Sequence, residues 1–252
     1  MVLVLVSEAC FAQAAYPDSE AAAAWRGLAA GYVRKALRDG TLNSDPAQNA
    51  RLDAVMGAVG TAVASIEPRF AGVSWTALLI EGFGRGAAAF PGGIILVDAK
   101  FVRRLKLNDD ELALILSHEA AHIVAGHASA KLSFMAGILG KDRIPTARTA
   151  LLEFLAKDSY AGEFQSLARL QEREADAIGA AIFAATAFDP QRALGVFDKL
   201  AATENAEEGR GLDTHDSAIT RKRAIAGMIA NRLRPGAART AATAATAAAA
   251  GP

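Results

Sequence analysis

Apolar residues recur at intervals of three or four along most of this chain, which is the spacing of one buried face of an α-helix. The repeat is clear over residues 16–66. Shorter continuous apolar runs at 73–80 and 94–97 predict two strands, because they are brief and are bounded by glycine and proline. The pattern therefore predicts a mainly α (α+β) fold in which helices surround a small β-sheet.

A long helix is predicted to begin at Asn108. This residue is a good N-cap, and Glu111 three positions later completes the sequence pattern of a capping box. The helix is expected to run through His118 to about His127. Apolar residues lie on all of its sides, so we expect it to be buried.

Further helices are predicted over 146–157, 160–187 and 220–232. Asp189 followed by Pro190 marks another helix start, with aspartate as N-cap and proline in the first turn. Residues 235–252 are rich in alanine and threonine and read as a disordered tail.

Composition excludes several classes of protein. The chain has 252 residues with 27 Lys+Arg and 27 Asp+Glu, so its formal net charge is zero, and no basic surface for nucleic acid is indicated. Cys10 is the sole cysteine, which excludes an internal disulfide framework and a cysteine-rich zinc site.

The first fifteen residues have features of an export signal. They are apolar at the start and end in Ala12-Gln13-Ala14, which resembles a signal-peptidase cleavage pattern, although a basic start is missing. Residues 1–15 are therefore interpreted as a signal-peptide remnant whose start lies upstream; the alternative is an ordinary first strand or helical turn. No apolar run in the sequence reaches the length of about 18 residues that a membrane span requires.

The helix that starts at Asn108 contains two histidines at a metal-binding spacing. His118 and His122 are four residues apart, which places their rings on one face with Cβ atoms about 5–6 Å apart, suitable for two ligands of one zinc ion. Glu119 follows the first histidine and can take a proton from an attacking water. The alternative is a buried helix whose histidines are satisfied by the backbone.

A catalytic zinc needs a third protein ligand, and an acidic cluster downstream can provide it. Glu172 and Asp176 lie one helical turn apart, so Glu172 can bind the metal while Asp176 accepts the free N–H of a ligating histidine. Glu174 is expected to face solvent. Taken alone, this cluster would usually be a solvated helix face.

Together these motifs resemble the HtpX-like and CAAX-prenyl-endopeptidase-like zinc metallopeptidases. The resemblance rests on the pattern from His118 to His122, with His127 five residues on and the Glu172-to-Asp176 cluster about fifty residues later. It extends over roughly 73–232. Its other landmarks are Phe90-Pro91-Gly92-Gly93, Asn108 to Ala113, Phe188-Asp189-Pro190 and Thr214-His215.

The resemblance implies a role for each matching residue. His118, His122 and Glu172 would bind one Zn²⁺ ion per chain, Glu119 would be the catalytic base, and Asp176 would support a ligand. His127 would be structural, and His215 would stabilise the oxyanion or cap the zinc, with a plain loop histidine as the alternative. A basic residue that follows in the family would be Arg221 or Arg223.

The resemblance also implies an edge strand beside the active helix, on which an extended peptide lies. The matching stretch is Ile94 to Val97, so Gly92, Gly93, Ile94 and Ile95 are predicted to bind substrate. The alternative for the two glycines is a plain hairpin turn.

These inferences predict a zincin-type metallopeptidase domain over 16–234, with a helical N-terminal part. The expected function is zinc-dependent endopeptidase action on misfolded or mislocalised envelope proteins, in the periplasm or at a membrane of the cell envelope. The alternative is a zinc-binding periplasmic chaperone or assembly factor with latent peptidase activity. A prenyl-protein protease is not expected, because those enzymes are built around many membrane spans.

Overall fold

The computed structural model describes residues 15–156, 161–204 and 217–233, in which helices pack around one three-stranded sheet. The predictions for the leader, for His215 and for the tail at 235–252 fall outside these residues. The elements in chain order are α1 (Asp18–Arg38), α2 (Pro46–Ile66), β1 (Thr76–Ile80), β2 (Ala87–Phe90), β3 (Ile94–Asp98), α3 (Ala99–Arg104), α4 (Asp109–Val124), α5 (His127–Leu139), α6 (Ala147–Ala156), α7 (Ala161–Ala184), α8 (Pro190–Ala193), α9 (Gly195–Glu204) and α10 (Ala218–Leu233). The predicted mainly helical fold with a small sheet is confirmed.

Polar side chains fix where the central helix begins. The Asn108 side chain accepts a hydrogen bond from the Glu111 backbone N–H, and the Glu111 carboxylate accepts one from the Asn108 N–H, which completes the predicted capping box. Glu111 is almost fully buried and also accepts a hydrogen bond from Lys199 Nζ at 2.6 Å. The cap therefore fixes the start of α4 and ties it to α9.

The end of α4 differs from the prediction. The helix ends at Val124 instead of reaching His127, because Gly126 has a left-handed backbone conformation with φ of 70°. A new helix, α5, begins at His127. The change of direction turns the His127 side chain back toward α4.

The sheet has the strand order β1-β3-β2. Strand β3 pairs in parallel with β1 and in antiparallel with β2, so both of its edges are hydrogen-bonded. The prediction that Ile94 to Val97 form an edge strand is therefore wrong. Strand β2 was not predicted, because three alanines before Phe90 give neither apolar alternation nor β-branched residues.

The largest apolar core surrounds α4. Leu116, Ala120 and Ala121 are fully buried there, and α4 packs against α2, α7 and α8. A second core joins α1, α5 and α6, where the Tyr16 hydroxyl donates to the Ile144 carbonyl at 2.6 Å. Met135 is buried in this second core. Within the described part of the chain, none of the helices combines the length and the apolar character that crossing a membrane demands.

Gly179 allows α7 to approach α4 closely. A Cβ atom at this position would lie 2.9 Å from the Cα atom of His118, which is backbone and cannot rotate away.

We therefore expect Gly179→Ala to lower the free energy of unfolding by about 1–3 kcal/mol, measured by urea denaturation. Gly57→Ala in α2 is the matched control, because no atom lies within 4 Å of its added methyl group. The control should gain about 0.5–1 kcal/mol, and equal effects of the two variants would contradict this account of the contact.

Candidate metal centre

The contact between α4 and α7 brings three predicted metal ligands together. The Nε2 atoms of His118 and His122 lie 3.1 Å apart. Glu172 places one carboxylate oxygen 3.1 Å from the first of these nitrogens and the other 3.5 Å from the second. One ligand atom from each residue falls within a 4.8 Å cluster, so the three side chains could hold one metal ion.

These separations fit a zinc ion. Tetrahedral ligands at about 2.0–2.1 Å from zinc are about 3.3 Å from one another, and the three measured separations lie close to that value. Each imidazole directs its Nε2 atom toward the Nε2 atom of the other. At 3.1 Å, either a proton on one of the two nitrogens or a metal ion bound by both makes this arrangement favourable. The donor set, two nitrogens and a carboxylate, is that of many catalytic zinc sites.

The far side of the His118 ring is held by a buried ion pair. His118 Nδ1 lies 2.9 Å from Asp176 Oδ1, and Arg221 binds both oxygens of Asp176 at 2.7 and 2.9 Å. Burial would raise the pKa of Asp176, but hydrogen bonds with His118 and Arg221 hold it below its usual value. Asp176 therefore stays ionised beside His118 Nδ1, where it can accept the ring N–H. Of the two arginines considered from the sequence, Arg221 is the one that makes this contact.

The far side of the His122 ring is held differently. His122 Nδ1 lies 2.7 Å from His127 Nδ1, and His127 Nε2 lies 3.2 Å from Glu174 Oε2. His127 is buried, with 3% of its surface exposed, and Glu174 is about one third exposed. The prediction that Glu174 faces solvent is therefore wrong. Gly126 is the reason, because it directs α5 so that His127 lies between α4 and α7.

One assignment of protons satisfies the hydrogen bonds behind both histidine rings. If His122 Nδ1–H donates to His127 Nδ1, then His127 carries its proton on Nε2 and donates it to Glu174. His118 likewise donates its Nδ1–H to Asp176. Both Nε2 atoms are then unprotonated and available to a metal, which is how protein side chains usually orient zinc-binding histidines.

The pKa shifts of the two candidate ligands differ in direction. Burial lowers the pKa of His118, but hydrogen bonds to Asp176 and Glu172 outweigh it and raise the pKa to about 9. Burial, and next the charge of His118, hold the pKa of His122 well below its usual value. The carboxylates of Asp176 and Glu172 thus stabilise positive charge at His118, while burial and the charge of His118 oppose protonation of His122.

The sequence did not predict that His127 contacts His122, or that Glu174 contacts His127. The sequence signal for this contact was weak, because His127 can contact His122 only if the helix ends and the chain changes direction between them. The glycine at 126 was that signal, since glycine readily adopts the left-handed conformation that ends a helix.

We expect Glu174→Ala to weaken zinc binding by about 10–100-fold, because His127 loses its acceptor and no longer fixes the His122 ring. Competition against a chromogenic chelator measures this affinity. Glu174→Gln should recover most of it, because the amide oxygen still accepts the His127 N–H. Asp53→Ala, an exposed acid on α2, is the charge-matched control. Equal zinc affinity in Glu174→Ala and in this control would contradict the orienting role.

The predicted substrate-binding residues lie at the turn between β2 and β3. Gly92 and Gly93 both have positive φ, at 92° and 82°, and a Cβ on Gly93 would collide with Val73 and with the Ser74 carbonyl. The two glycines thus form the hairpin turn that joins β2 to β3, and their role in substrate binding stays a prediction. Ile94 and Ile95 follow it in the central strand, and Ile95 is fully buried. Among the described residues, no further strand pairs with the outer edge of β2, and β2 contacts α4.

A mainly helical fold with a His-Glu-x-x-His helix, a third ligand from a neighbouring helix and a small sheet defines a metallopeptidase of the zincin type. The model of peptidase family M48 matches residues 46–229. The chain therefore belongs to peptidase family M48, and the metallopeptidase resemblance of its motifs is confirmed.

Three curated relatives carry the name mitochondrial metalloendopeptidase OMA1. The protein from Arabidopsis thaliana is 29% identical over 160 residues, which are 62% of this chain and 32% of that protein. Those from Schizosaccharomyces pombe and Saccharomyces cerevisiae are 29% and 26% identical over 160 residues, covering 46% of each relative. The chain thus spans 32% to 46% of the length of these relatives.

Proposed function

We propose that this chain is a zinc-dependent metalloendopeptidase that hydrolyses peptide bonds in proteins. The observation that supports this most strongly is the convergence of His118, His122 and Glu172 at ligand-to-ligand distances suited to one zinc ion. Glu119, the proposed catalytic base, follows the first ligand on the same helix. The metallopeptidase family and the names of the three relatives agree with the proposal.

The chemistry divides among these residues. Zinc, when bound, would polarise the substrate carbonyl and lower the pKa of water, so that a nucleophile is available at neutral pH. Glu119 takes the proton of the attacking water and returns it to the nitrogen of the leaving amine. Asp176 and Arg221 keep the His118 ring in place behind the ligands, while His127 and Glu174 keep the His122 ring in place. His215 remains a candidate for stabilising the oxyanion or for covering the zinc.

The free edge of the sheet provides a place for an extended substrate. The outer edge of β1 is covered by residues 41–43, where Asn43 N–H donates to the Leu79 carbonyl. Among the described residues, no backbone outside the sheet pairs with β2. A peptide that adds to β2 would gain main-chain hydrogen bonds without sequence recognition. Because β2 contacts α4, such a peptide would lie beside the helix that carries Glu119.

The proposed role is quality control of proteins in the periplasm or at a membrane of the cell envelope. Its support is the signal-like pattern at Ala12-Gln13-Ala14 and the outer edge of β2, whose main-chain groups would suit any extended backbone. The names of the three relatives place them in mitochondria. Like the periplasm, the mitochondrion is a compartment separate from the cytosol.

Cleavage of an unfolded protein before and after metal removal tests the proposal. We expect the purified protein to degrade β-casein, to stop after dialysis against 1,10-phenanthroline, and to resume when one equivalent of zinc is restored. Circular dichroism should show that the metal-free protein stays folded. If the zinc-loaded protein leaves casein intact but prevents its aggregation, the chaperone alternative gains and the peptidase proposal fails.

A further inference from the structure

Two basic side chains, Lys131 and Arg85, have no ion-pair partner among the described residues. Lys131 lies on α5 and is half-buried, and Arg85 lies in the loop between β1 and β2 and is exposed. Arg221, the basic residue behind the metal centre, differs from them because it binds both oxygens of Asp176. The charges of Lys131 and Arg85 are therefore available to an anion that enters from solvent.

Helix α5 directs Lys131 toward the metal centre. Lys131 follows His127 by four residues, so the two side chains lie on the same face of α5. The His127 ring on that face contacts the His122 ring, with the two Nδ1 atoms 2.7 Å apart. The start of α5 is held in place, because the Trp25 indole N–H donates to the Ala128 carbonyl at 2.9 Å. The position of Lys131 is thus set by packing of the helix.

The electrostatic surroundings of Lys131 agree with this position. Burial lowers the pKa of Lys131, whereas the carboxylates of Glu172 and Glu119 raise it and the charge of Arg85 lowers it. The ammonium group is therefore close to both carboxylates of the site, and Arg85 reaches toward the same region. Glu172 is proposed to bind the metal and Glu119 to transfer a proton. Lys131 and Arg85 consequently remain as the positive groups that a ligand can contact.

The loop that carries Arg85 is held by a buried carboxylate. Asp98 is 6% exposed, and its two oxygens accept the N–H groups of Gly82 at 3.3 Å and of Gly84 at 2.8 Å. The Gly86 carbonyl accepts the Asp98 N–H at 3.0 Å. The backbone of Arg85 is therefore fixed on both sides, directly before β2.

An extended peptide on the outer edge of β2 would lie beside both basic residues. The anions that proteins carry are carboxylates, and the planar fork of arginine and the ammonium group of lysine both bind them. On the basis of the proposed peptidase function, we propose that Lys131 and Arg85 form a carboxylate-binding site in the substrate cleft. Its ligand is a carboxylate of the substrate, from a glutamate or aspartate side chain or from the C-terminus of a peptide.

Four variants test the carboxylate-binding site. Lys131→Met keeps the length of the side chain and removes its charge, while Lys131→Arg keeps the charge. Arg85→Gln removes the second charge. Arg232→Gln is the matched control, because Arg232 is exposed in the last turn of α10. Circular dichroism and the zinc content verify that each protein is folded and loaded with metal.

The substrates are labelled decapeptides with an amidated C-terminus. Each peptide carries a single glutamate, which is moved through the central positions, and has a partner with glutamine instead. We expect kcat/KM of the best glutamate peptide to exceed that of its partner by about tenfold or more, the effect of a hydrogen bond to a charged group. Lys131→Met should abolish this preference and Arg85→Gln should weaken it, while Lys131→Arg and Arg232→Gln should retain it. Glutamine peptides with a free C-terminus show whether the terminal carboxylate is the ligand, because they would then be preferred over the amides.

Three results would overturn the carboxylate-binding site. The first is equal kcat/KM for peptides with and without the carboxylate. The second is an unchanged preference in both Lys131→Met and Arg85→Gln. The third is a loss of kcat in Lys131→Met that is equal for all peptides, because the lysine would then serve the reaction and not recognition.

Binding of the same peptides to zinc-loaded Glu119→Gln, measured by fluorescence anisotropy, separates this inference from the proposed function. If no protein cleaves but a carboxylate peptide binds about tenfold tighter than its neutral partner, and adding Lys131→Met removes the difference, the peptidase function fails and the carboxylate-binding site stands. If cleavage occurs without this preference, the function stands and the site fails. If neither cleavage nor selective binding occurs, both fail.

Discussion

Glu172→Ala is expected to leave a folded protein that has lost most of its affinity for zinc. Of the three ligand candidates among the described residues, Glu172 alone lies outside α4, and its carboxylate lies 3.1 and 3.5 Å from the two histidine nitrogens. Without it, two neutral imidazoles remain. Loss of a residue that only orients a ligand typically costs about 10–100-fold in metal affinity, and we expect loss of a ligand to exceed that range.

Metal analysis of the purified protein and competition against a chelator measure this effect. Glu172→Gln is the matched variant, because it keeps the size of the side chain and removes its charge, so it separates lost ligation from lost packing. Both variants should contain little zinc, while Asp53→Ala should contain as much as the wild type. Equal zinc contents in the wild type and Glu172→Ala would overturn the assignment of the third ligand.

Glu119→Gln is expected to retain zinc but to lose cleavage activity by about 10²–10⁴-fold, which is the usual contribution of a positioned acid or base. The amide cannot accept the proton of the attacking water. Glu119 is not part of the ligand cluster, so the metal affinity should change little. The measurement is the rate of β-casein cleavage, with the zinc content determined on the same preparation.

The pair of measurements distinguishes a base from a ligand. Loss of both zinc and activity in Glu119→Gln would show that Glu119 binds the metal instead of serving as the base. Unchanged cleavage of an unfolded substrate would contradict the proposed mechanism altogether. If an envelope defect of cells that lack the protein is fully corrected by Glu119→Gln, the binding role gains over the peptidase role.

Local sequence patterns predicted the elements that local physics controls. The capping box at Asn108, the helix start at Asp189 and the helices near 146–157, 160–187 and 220–232 were all found close to their predicted places. In each case, residues within the segment itself determine its structure, because a cap or an apolar repeat acts within one or two turns.

The errors occurred where a distant contact decides the structure. Whether Ile94 to Val97 lies at the edge or in the middle depends on β2, whose alanines give no strand signal of their own. The angular position of Glu174 on α7 predicted that it faces solvent, but the direction of α5 places His127 in contact with it. Sequence spacing also gave no sign of the apolar pocket beside Glu119, because its lining residues come from five separate helices, α3, α4, α7, α9 and α10.

The sequence by itself determined the central helix, its capped start and the spacing of His118, Glu119 and His122, because all of these follow from the period of a single helix. It also supplied Glu172 and Asp176 one turn apart as candidates. Only the tertiary structure decided that α4 and α7 approach closely enough for Glu172 to meet both histidines, an approach that Gly179 permits by having no Cβ atom. It likewise decided that the turn at Gly126 places His127 behind His122, because the orientation of a side chain beyond a helix end depends on packing.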